Sequence, residues 1–382
     1  MRHSEELTFC SLSMRLTLKM TGAHQRGDGC VSAFPRRALG LACIVMLVSL
    51  SAGCGGICDR SNDGYILSGT DDALYAICSR TRDAVELVSL DVPLSNWAVD
   101  HQKQRLYLVN VEDGEVYLHG FELSSGARTH HVDLTSMLSE RGVTIQPRRI
   151  RRSLLPACSP DGNHLAMQIP VSRSDHEKGF VLVLDLTDIE EGKHHLLSHP
   201  EDVGFSGPVG VHWRDRHRFL IPGVGSRDVE RGLFEVDVRD GSIERLTGES
   251  HEFLANPSFL AVDHQSGEMA VRYSVEVSRY GELERRIRIV DLETFDKLWE
   301  GDDPEQASRA SSPYYYPPAL RDRVLASAGI QSYSGLHRDT RTYIWNMNSD
   351  RTCTKRWPTG QLQWSDELPE GWVDTIQVGK EE

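Results

Sequence analysis

The sequence predicts an all-β protein whose residues 62–382 form a β-propeller of six to seven blades. Short strand-like segments separated by turns recur along this region, with almost no helical periodicity. From the third strand-turn unit to the sixth, the central strands lie about 50 to 55 residues apart, which is typical of blades that each contain several strands. An aspartate also recurs after the apolar residues of these units, and its copies are Asp91, Asp185, Asp237 and Asp291.

The strand-turn units follow one another in a regular order. Their central strands are predicted at residues 85–91, 116–123, 180–186, 233–238, 288–292 and 342–347. The segment 105–111 precedes the second of these across a turn that contains Gly114, which indicates a β-hairpin. The segment 371–378 is expected to complete a blade begun at residues 64–68 and so to tie the ring shut. A seventh blade would arise in that way or from the long interval 124–180, and the alternative fold is a β-sandwich with similar hairpins.

Residues 157–167 carry a more specific motif, Ala-Cys-Ser-Pro-Asp-Gly-Asn-His-Leu-Ala-Met. Pro160 fixes φ at the first central position of a turn, and Gly162 accepts a positive φ. Both properties suit a structural turn between two strands, made of Ser159, Pro160, Asp161 and Gly162. The alternative is that Asp161 is a catalytic or metal-binding carboxylate. The motif resembles the Ser-Pro-Asp-Gly-x-x-Leu-Ala repeat of WD40-like propellers in bacterial envelope proteins, among them the TolB C-terminal domain, and this resemblance implies a propeller fold.

The N-terminal region carries the pattern of a secretory signal. Arg36 and Arg37 precede a 13-residue apolar run, residues 38–50, which is too short to span a bilayer comfortably. The run leads into Leu-Ser-Ala-Gly-Cys at residues 50–54, which resembles the lipobox of bacterial lipoproteins. The resemblance implies that residues 1–53 are removed, that Cys54 carries a covalent lipid, and that residues 54–61 tether the propeller. The expected location is the cell membrane or the outer membrane, with the domain periplasmic or surface-exposed.

The net charge of the chain limits the classes of partner that it is expected to bind. The first 53 residues hold six basic and three acidic side chains, so their removal leaves 36 basic against 53 acidic residues and a formal charge of −17. A chain this acidic repels nucleic-acid phosphates, so we expect no nucleic-acid partner. No polybasic patch follows Cys54, and contact with a membrane is therefore expected through lipid chains.

Four further cysteines follow Cys54 in a compartment that permits disulfides, and they are Cys58, Cys78, Cys158 and Cys353. Four cysteines allow three connectivities, and the sequence does not choose among them. Cys58 with Cys78 would close the shortest loop, of about 20 residues. The alternative is that some of the four are buried as small hydrophobic side chains.

Motifs that carry enzyme chemistry are absent from the sequence or incomplete. No Gly-x-Ser-x-Gly, P-loop, Gly-x-Gly-x-x-Gly or His-Glu-x-x-His motif occurs. His195 and His199 have a spacing that suits one helical face, but their context indicates a strand end and an exposed loop. We therefore predict no catalytic residue, no metal and no cofactor beyond the lipid on Cys54.

The predicted function is that of a non-catalytic, lipid-anchored scaffold whose propeller binds an envelope protein or a ligand. One alternative is a propeller enzyme, a hydrolase or lyase that acts on carbohydrate or a lactone with a metal at the axis. Another alternative is a purely structural component of the envelope. Metal analysis of the purified protein would separate the enzyme from the binding scaffold.

Overall fold

The computed structural model describes residues 64–69, 73–79, 84–92, 96–145, 154–169, 180–189, 194–198, 203–204, 210–225, 232–246, 257–276, 283–303, 319–333, 337–348, 351–355, 361–365, 372–373 and 375–378. Within these residues the strands form six sheets of four or five strands. Successive sheets are in contact through their innermost strands, so they surround a common axis as the blades of a propeller. The prediction of an all-β propeller is therefore confirmed with six blades, and the β-sandwich is excluded.

Blade 1 joins the two ends of the domain. It contains β1 (Tyr65–Gly69), β2 (Ala73–Cys78) and β3 (Ala84–Leu90) from the start, and β25 (Leu362–Ser365) and β26 (Thr375–Ile376) from the end. β25 is the innermost strand and runs antiparallel to β1, with Tyr65 opposite Ser365. β26 runs parallel to β3 on the outer edge. The C-terminal part of the chain thus closes the ring.

The segment 371–378 joins the blade that begins with β1, as the sequence predicted. The predicted closing segment, residues 371–378, contains β26, which pairs with β3 at the opposite edge of the blade. Ile376 and Val378 are buried in the apolar cluster between blades 1 and 2, and this burial holds the segment at the outer edge. The strand beside β1 is β25, which the sequence did not indicate.

Blades 2 and 3 are antiparallel sheets of four strands. Blade 2 contains β4 (Asn96–Asp100), β5 (Arg105–Glu112), β6 (Glu115–Glu122) and β7 (Arg128–Asp133). Blade 3 contains β8 (Ala157–Cys158), β9 (His164–Ile169), β10 (Phe180–Asp185) and β11 (His194–Ser198). In each blade the first strand is innermost, and the strands follow in order towards the outer edge.

Blades 4, 5 and 6 repeat this arrangement. Blade 4 contains β12 (Val203–Gly204), β13 (His212–Trp213), β14 (Arg218–Gly225), β15 (Gly232–Asp237) and β16 (Ile243–Arg245). Blade 5 contains β17 (Pro257–Asp263), β18 (Glu268–Glu276), β19 (Leu283–Asp291) and β20 (Lys297–Asp302). Blade 6 contains β21 (Ala319–Arg321), β22 (Val324–Tyr333), β23 (His337–Asn346) and β24 (Arg351–Lys355).

The recurrent aspartates of the sequence are turn residues. Asp185, Asp237 and Asp291 each end the strand next to the outermost strand of a blade, and each carboxylate accepts a hydrogen bond from the backbone amide two residues later. Such turns stabilise the exit of a strand without using strand hydrogen bonds. Asp91 follows β3 and has another partner, because its Oδ1 accepts the amide of Val378 at 2.8 Å. It therefore fastens the C-terminal segment to blade 1.

The apolar core lies between neighbouring blades. Leu118 of blade 2 and Leu182 of blade 3, for example, are fully buried in one cluster. A short helix, Leu134–Ser139, follows β7 and buries Leu134 and Leu138 in the same cluster. In its described part the interval 124–180 therefore holds this helix and strands of blades 2 and 3, and it does not form a seventh blade. No helix in the described residues has the length and apolar character needed to cross a membrane.

The cysteines lie in different surroundings. Cys158 has a free thiol that packs against the cluster between blades 2 and 3, so this candidate for a disulfide behaves as a small apolar side chain. Burial and the Asp100 carboxylate raise the pKa of the Cys158 thiol well above its usual value. Cys353 lies on β24 opposite Ile344. Residues 1–63, with the predicted signal, Cys54, Cys58 and the tether, lie outside the described residues.

Candidate functional site: the axial cavity

A cavity of about 300 Å³ lies at the axis of the propeller, between the innermost strands. Every blade contributes to its wall, because six strands that converge on one axis expose one side to the space they enclose. The blades contribute, in order from 1 to 6, Trp364, Ala98, Cys158, His212, Val262 and Leu320 among others. We call the face at which the innermost strands end the upper face.

Two histidines lie where innermost strands end. His101 directly follows β4, and His264 directly follows β17. Each comes after an aspartate, Asp100 or Asp263, whose Oδ1 accepts the amide two residues later at 2.9 Å or 3.0 Å. Because these bonds fix the turn, they also fix the position of the imidazole at the wall of the cavity.

Charged side chains at the upper end of the cavity partly neutralise one another. Arg321 ends β21, and its guanidinium lies 3.6 Å from Asp263 Oδ1. Asp263 Oδ2 accepts the amide of Asp322 at 2.9 Å, which joins blade 5 to blade 6. Burial lowers the pKa of His264, although the carboxylates of Asp263 and Asp215 act in the opposite direction. The imidazole of His264 is therefore neutral at pH 7 and both donates and accepts hydrogen bonds.

Two glutamines of the closing segment reach across to the next blades. Gln363 accepts the amide of Val99 at 3.1 Å and donates to the carbonyl of the same residue at 2.7 Å. Its amide nitrogen also lies 3.1 Å from His101 Nε2, which identifies that ring nitrogen as the acceptor. Gln361 is buried and bonds the backbone of blades 2 and 3 at 3.4 Å each. These side chains satisfy backbone groups at the inner edge of β4, where no strand is adjacent.

The Ser-Pro-Asp-Gly segment lies at the same end of the cavity. Ser159 and Pro160 line the wall. Asp161 Oδ1 accepts the hydroxyl of Ser159 at 2.6 Å and the amide of Asn163 at 3.2 Å, and Gly162 has a φ of 65°. Burial acts to raise the pKa of Asp161, but these hydrogen bonds outweigh it and lower the pKa. Its carboxylate is ionised and engaged in the turn between β8 and β9, which is the geometry of a structural turn.

The histidines at the axis are not grouped as metal ligands. In the described part of the chain, no three side chains of His, Cys, Asp or Glu lie close enough together to hold a metal ion. His195 is exposed on β11, the outermost strand of blade 3, and His199 lies outside the described residues. What the cavity offers is a set of hydrogen-bond donors and acceptors: imidazoles, amides and one guanidinium.

The residues that define the site did not emerge from the sequence reasoning. His101, His264, Arg321 and Gln363 lie on four different blades, and only ring closure brings them to one axis. One signal was present: the tripeptide Asp-His-Gln occurs at residues 100–102 and again at 263–265, and its aspartate ends an innermost strand each time. An aligned set of blades would have shown that these histidines occupy equivalent positions.

The fold and this cavity define the chain as a six-bladed β-propeller with an axial cavity lined by both apolar and polar side chains. It is similar to the crystal structure of TolB from Acinetobacter baumannii, with a TM-score of 0.50, 15% identity, and coverage of 86% of this chain and 72% of that chain. A putative TolB from Agrobacterium tumefaciens is also similar, with a TM-score of 0.41, 14% identity, and coverage of 76% of this chain and 88% of that chain. A nidogen/laminin complex has a TM-score of 0.45, 9% identity, and coverage of 80% of this chain and 100% of that chain. The TolB likeness at this identity concerns the fold. No protein-family model and no curated protein sequence matches the chain.

Proposed function

We propose that this protein is a lipid-anchored component of the bacterial envelope whose propeller binds a partner protein at the upper end of its axis, without catalysis. The axial cavity supports the proposal most directly, because its wall takes residues from all six blades. A partner segment that enters the cavity contacts every blade at once. The neutral imidazole of His264 and the guanidinium of Arg321 are suited to the carbonyls and amides of such a segment.

Two carboxylates near the axis, those of Asp161 and Asp263, are engaged in turns and are not available as general bases. A general base must offer a carboxylate oxygen to the substrate. Both oxygens of Asp161 are bonded within its own turn, to Ser159 and Asn163. Both oxygens of Asp263 are likewise engaged by backbone amides and by a serine hydroxyl. These groups therefore maintain the wall of the cavity.

The test removes one imidazole at the axis and one elsewhere. His264→Ala is expected to reduce recovery of the partner about tenfold in affinity capture from native membranes, because a truncated contact at the centre of an interface costs most. His195→Ala, which removes an exposed imidazole from the outer edge of blade 3, is the matched control and should capture as the wild type does. Both variants should keep the wild-type melting temperature. Recovery of the same partner in equal amount with His264→Ala would contradict the axial site.

The lipid anchor is proposed from the sequence Leu-Ser-Ala-Gly-Cys at residues 50–54. With Cys54→Ala we expect no membrane-bound protein of mature size, because no thiol remains to carry the lipid. The variant should be either an uncut precursor or a soluble, released protein. Cys158→Ala is the control, because it removes a thiol of the propeller, and it should stay in the membrane fraction. Cell fractionation with immunoblotting measures both. A Cys54→Ala protein of mature size that stays fully membrane-bound would refute the anchor.

A further inference from the structure

A second cavity lies on the upper face, further from the axis, between blades 2 and 3. Its volume is about 640 Å³. On one side it is bounded by the turn between β4 and β5 and by the start of β7, and on the other by the residues that follow β10. We call it the outer cleft, and its polar lining consists of Lys103, Arg105, Thr129, His130, Thr187 and Asp188. The residues just before Lys103, His101 and Gln102, line the axial cavity, so one turn borders both spaces.

Lys103 brings a positive charge to the cleft. Its Nζ donates to the carbonyl of Gly162 at 2.7 Å and to the side-chain oxygen of Asn163 at 2.9 Å. Both acceptors are uncharged, so these bonds orient the ammonium without neutralising it. Arg105, two residues later, adds a guanidinium to the lining. The imidazole of His130 lies between them and the outer edge, with its Nδ1 2.8 Å from the hydroxyl of Thr129.

The negative charges at the cleft are fewer. Asp188 is the carboxylate in its lining. Asp185 lies outside the lining, and its Oδ1 accepts the amide and the hydroxyl of Thr187 at 2.9 Å and 2.6 Å. Among the described lining residues, two cations thus face one carboxylate, in a chain whose formal net charge is −14. The excess corresponds to one negative charge, which a carboxylate supplies and a doubly charged phosphate exceeds.

We propose that the outer cleft binds a carboxylate group carried by an acidic peptide segment. The planar guanidinium of Arg105 can donate two parallel hydrogen bonds to a carboxylate, and Lys103 adds a charge-assisted contact. The cleft is far larger than one carboxylate, so the group is attached to a longer chain. The inference rests on the proposed function, in which the partner is a protein. It adds that the segment bound in the outer cleft is acidic.

The experiment uses defined peptides, so its result is separate from that of partner capture. Isothermal titration of the full-length protein with an acetylated, amidated tetraglutamate is expected to show binding, and the tetraglutamine peptide is expected to show none. Arg105→Gln should weaken tetraglutamate binding about tenfold, which corresponds to loss of one hydrogen-bonded charge. Arg105→Lys keeps the charge and should retain most of the affinity.

The control variant is Arg239→Gln, which removes a guanidinium that is 63% exposed and bonded to Asp237 at the end of β15. It should bind tetraglutamate as the wild type does. Equal affinity of the wild type and Arg105→Gln, with both folded by melting temperature, would overturn the proposal. Tighter binding of inorganic phosphate than of tetraglutamate would overturn the choice of carboxylate. Equal binding of free glutarate would overturn the requirement for a peptide.

Discussion

Replacing Gly162 by alanine tests how blade 2 contacts blade 3. Gly162 has a φ of 65°, and a Cβ built on it would lie 2.2 Å from Asp100 Oδ2 and 2.7 Å from its Cγ. The Asp100 carboxylate would have to move, and its Oδ1 would then lose the amides of Gln102 and Lys103, which it accepts at 2.9 Å and 3.1 Å. The substitution thus combines backbone strain with the loss of two hydrogen bonds to a charged group.

The size of the effect follows from these two parts. The left-handed conformation costs an alanine about 1 kcal/mol, and each lost bond to the carboxylate about 1.5 kcal/mol, so Gly162→Ala should lower the free energy of unfolding by about 3 to 4 kcal/mol. Gly267→Ala is the matched control, since Gly267 has a φ of 69° with no heavy atom within 4 Å of its Cβ position. It should cost about 1 kcal/mol.

Urea unfolding measures both variants. A double-mutant cycle then adds Asp100→Ser, which keeps a hydroxyl at the turn and shortens the side chain. In that background Gly162→Ala should cost no more than Gly267→Ala does in the wild type. Equal losses for Gly162→Ala and Gly267→Ala in the wild-type background would show that Asp100 does not press on Gly162, and the reasoning would fail.

Two ion-pair sites in blade 5 give further predictions. Arg272 and Asp303 are 2.9 Å apart with side chains 3% and 0% exposed, so Arg272→Met should cost about 3–5 kcal/mol in urea unfolding by leaving a buried charge. Adding Asp303→Leu should recover part of this loss, and no recovery would contradict the burial argument. Burial acts to raise the pKa of Glu300, but Tyr273 and Arg288 outweigh it and lower the pKa to about 2. Because a lowered pKa stabilises the fold above the unfolded value of 4.5, Glu300→Gln should cost about 3 kcal/mol at pH 6 and about half that at pH 3. Identical losses at the two pH values would refute it.

The long strands of the blades could be predicted from the sequence. The hairpin expected at residues 105–111 and 116–123 is β5 and β6, and its turn has positive φ at Asp113 and Gly114, as such a connection requires. These strands are half-buried or fully buried over several residues, so their apolar pattern can be read from the sequence alone. The innermost strands β8 and β13 have two residues each, which is too short to show a periodic pattern of apolar residues.

Long-range pairing explains what sequence reasoning missed. Residues 362–365 and 375–376 are both short and apolar in part, and the choice of neighbour depends on contacts with β1 and β3 far away in the chain. The helix Leu134–Ser139 is held by burial of two leucines in a cluster made by two blades. The axial site is missed for the same reason: its residues share no segment, and the ring alone makes them neighbours.

Closure of the ring by β25 has a consequence for how the protein is made. While the chain is being synthesised, β1 emerges early and its strand partner β25 almost last. The inner edge of β1 therefore has unpaired amides and carbonyls until residues 362–365 have been made, and such edges recruit other strands. Folding of blade 1 must wait for nearly the whole chain, which makes its pairing slow and exposed to aggregation. A ribosome that stops short of residue 362 releases an open arc of blades instead of a ring.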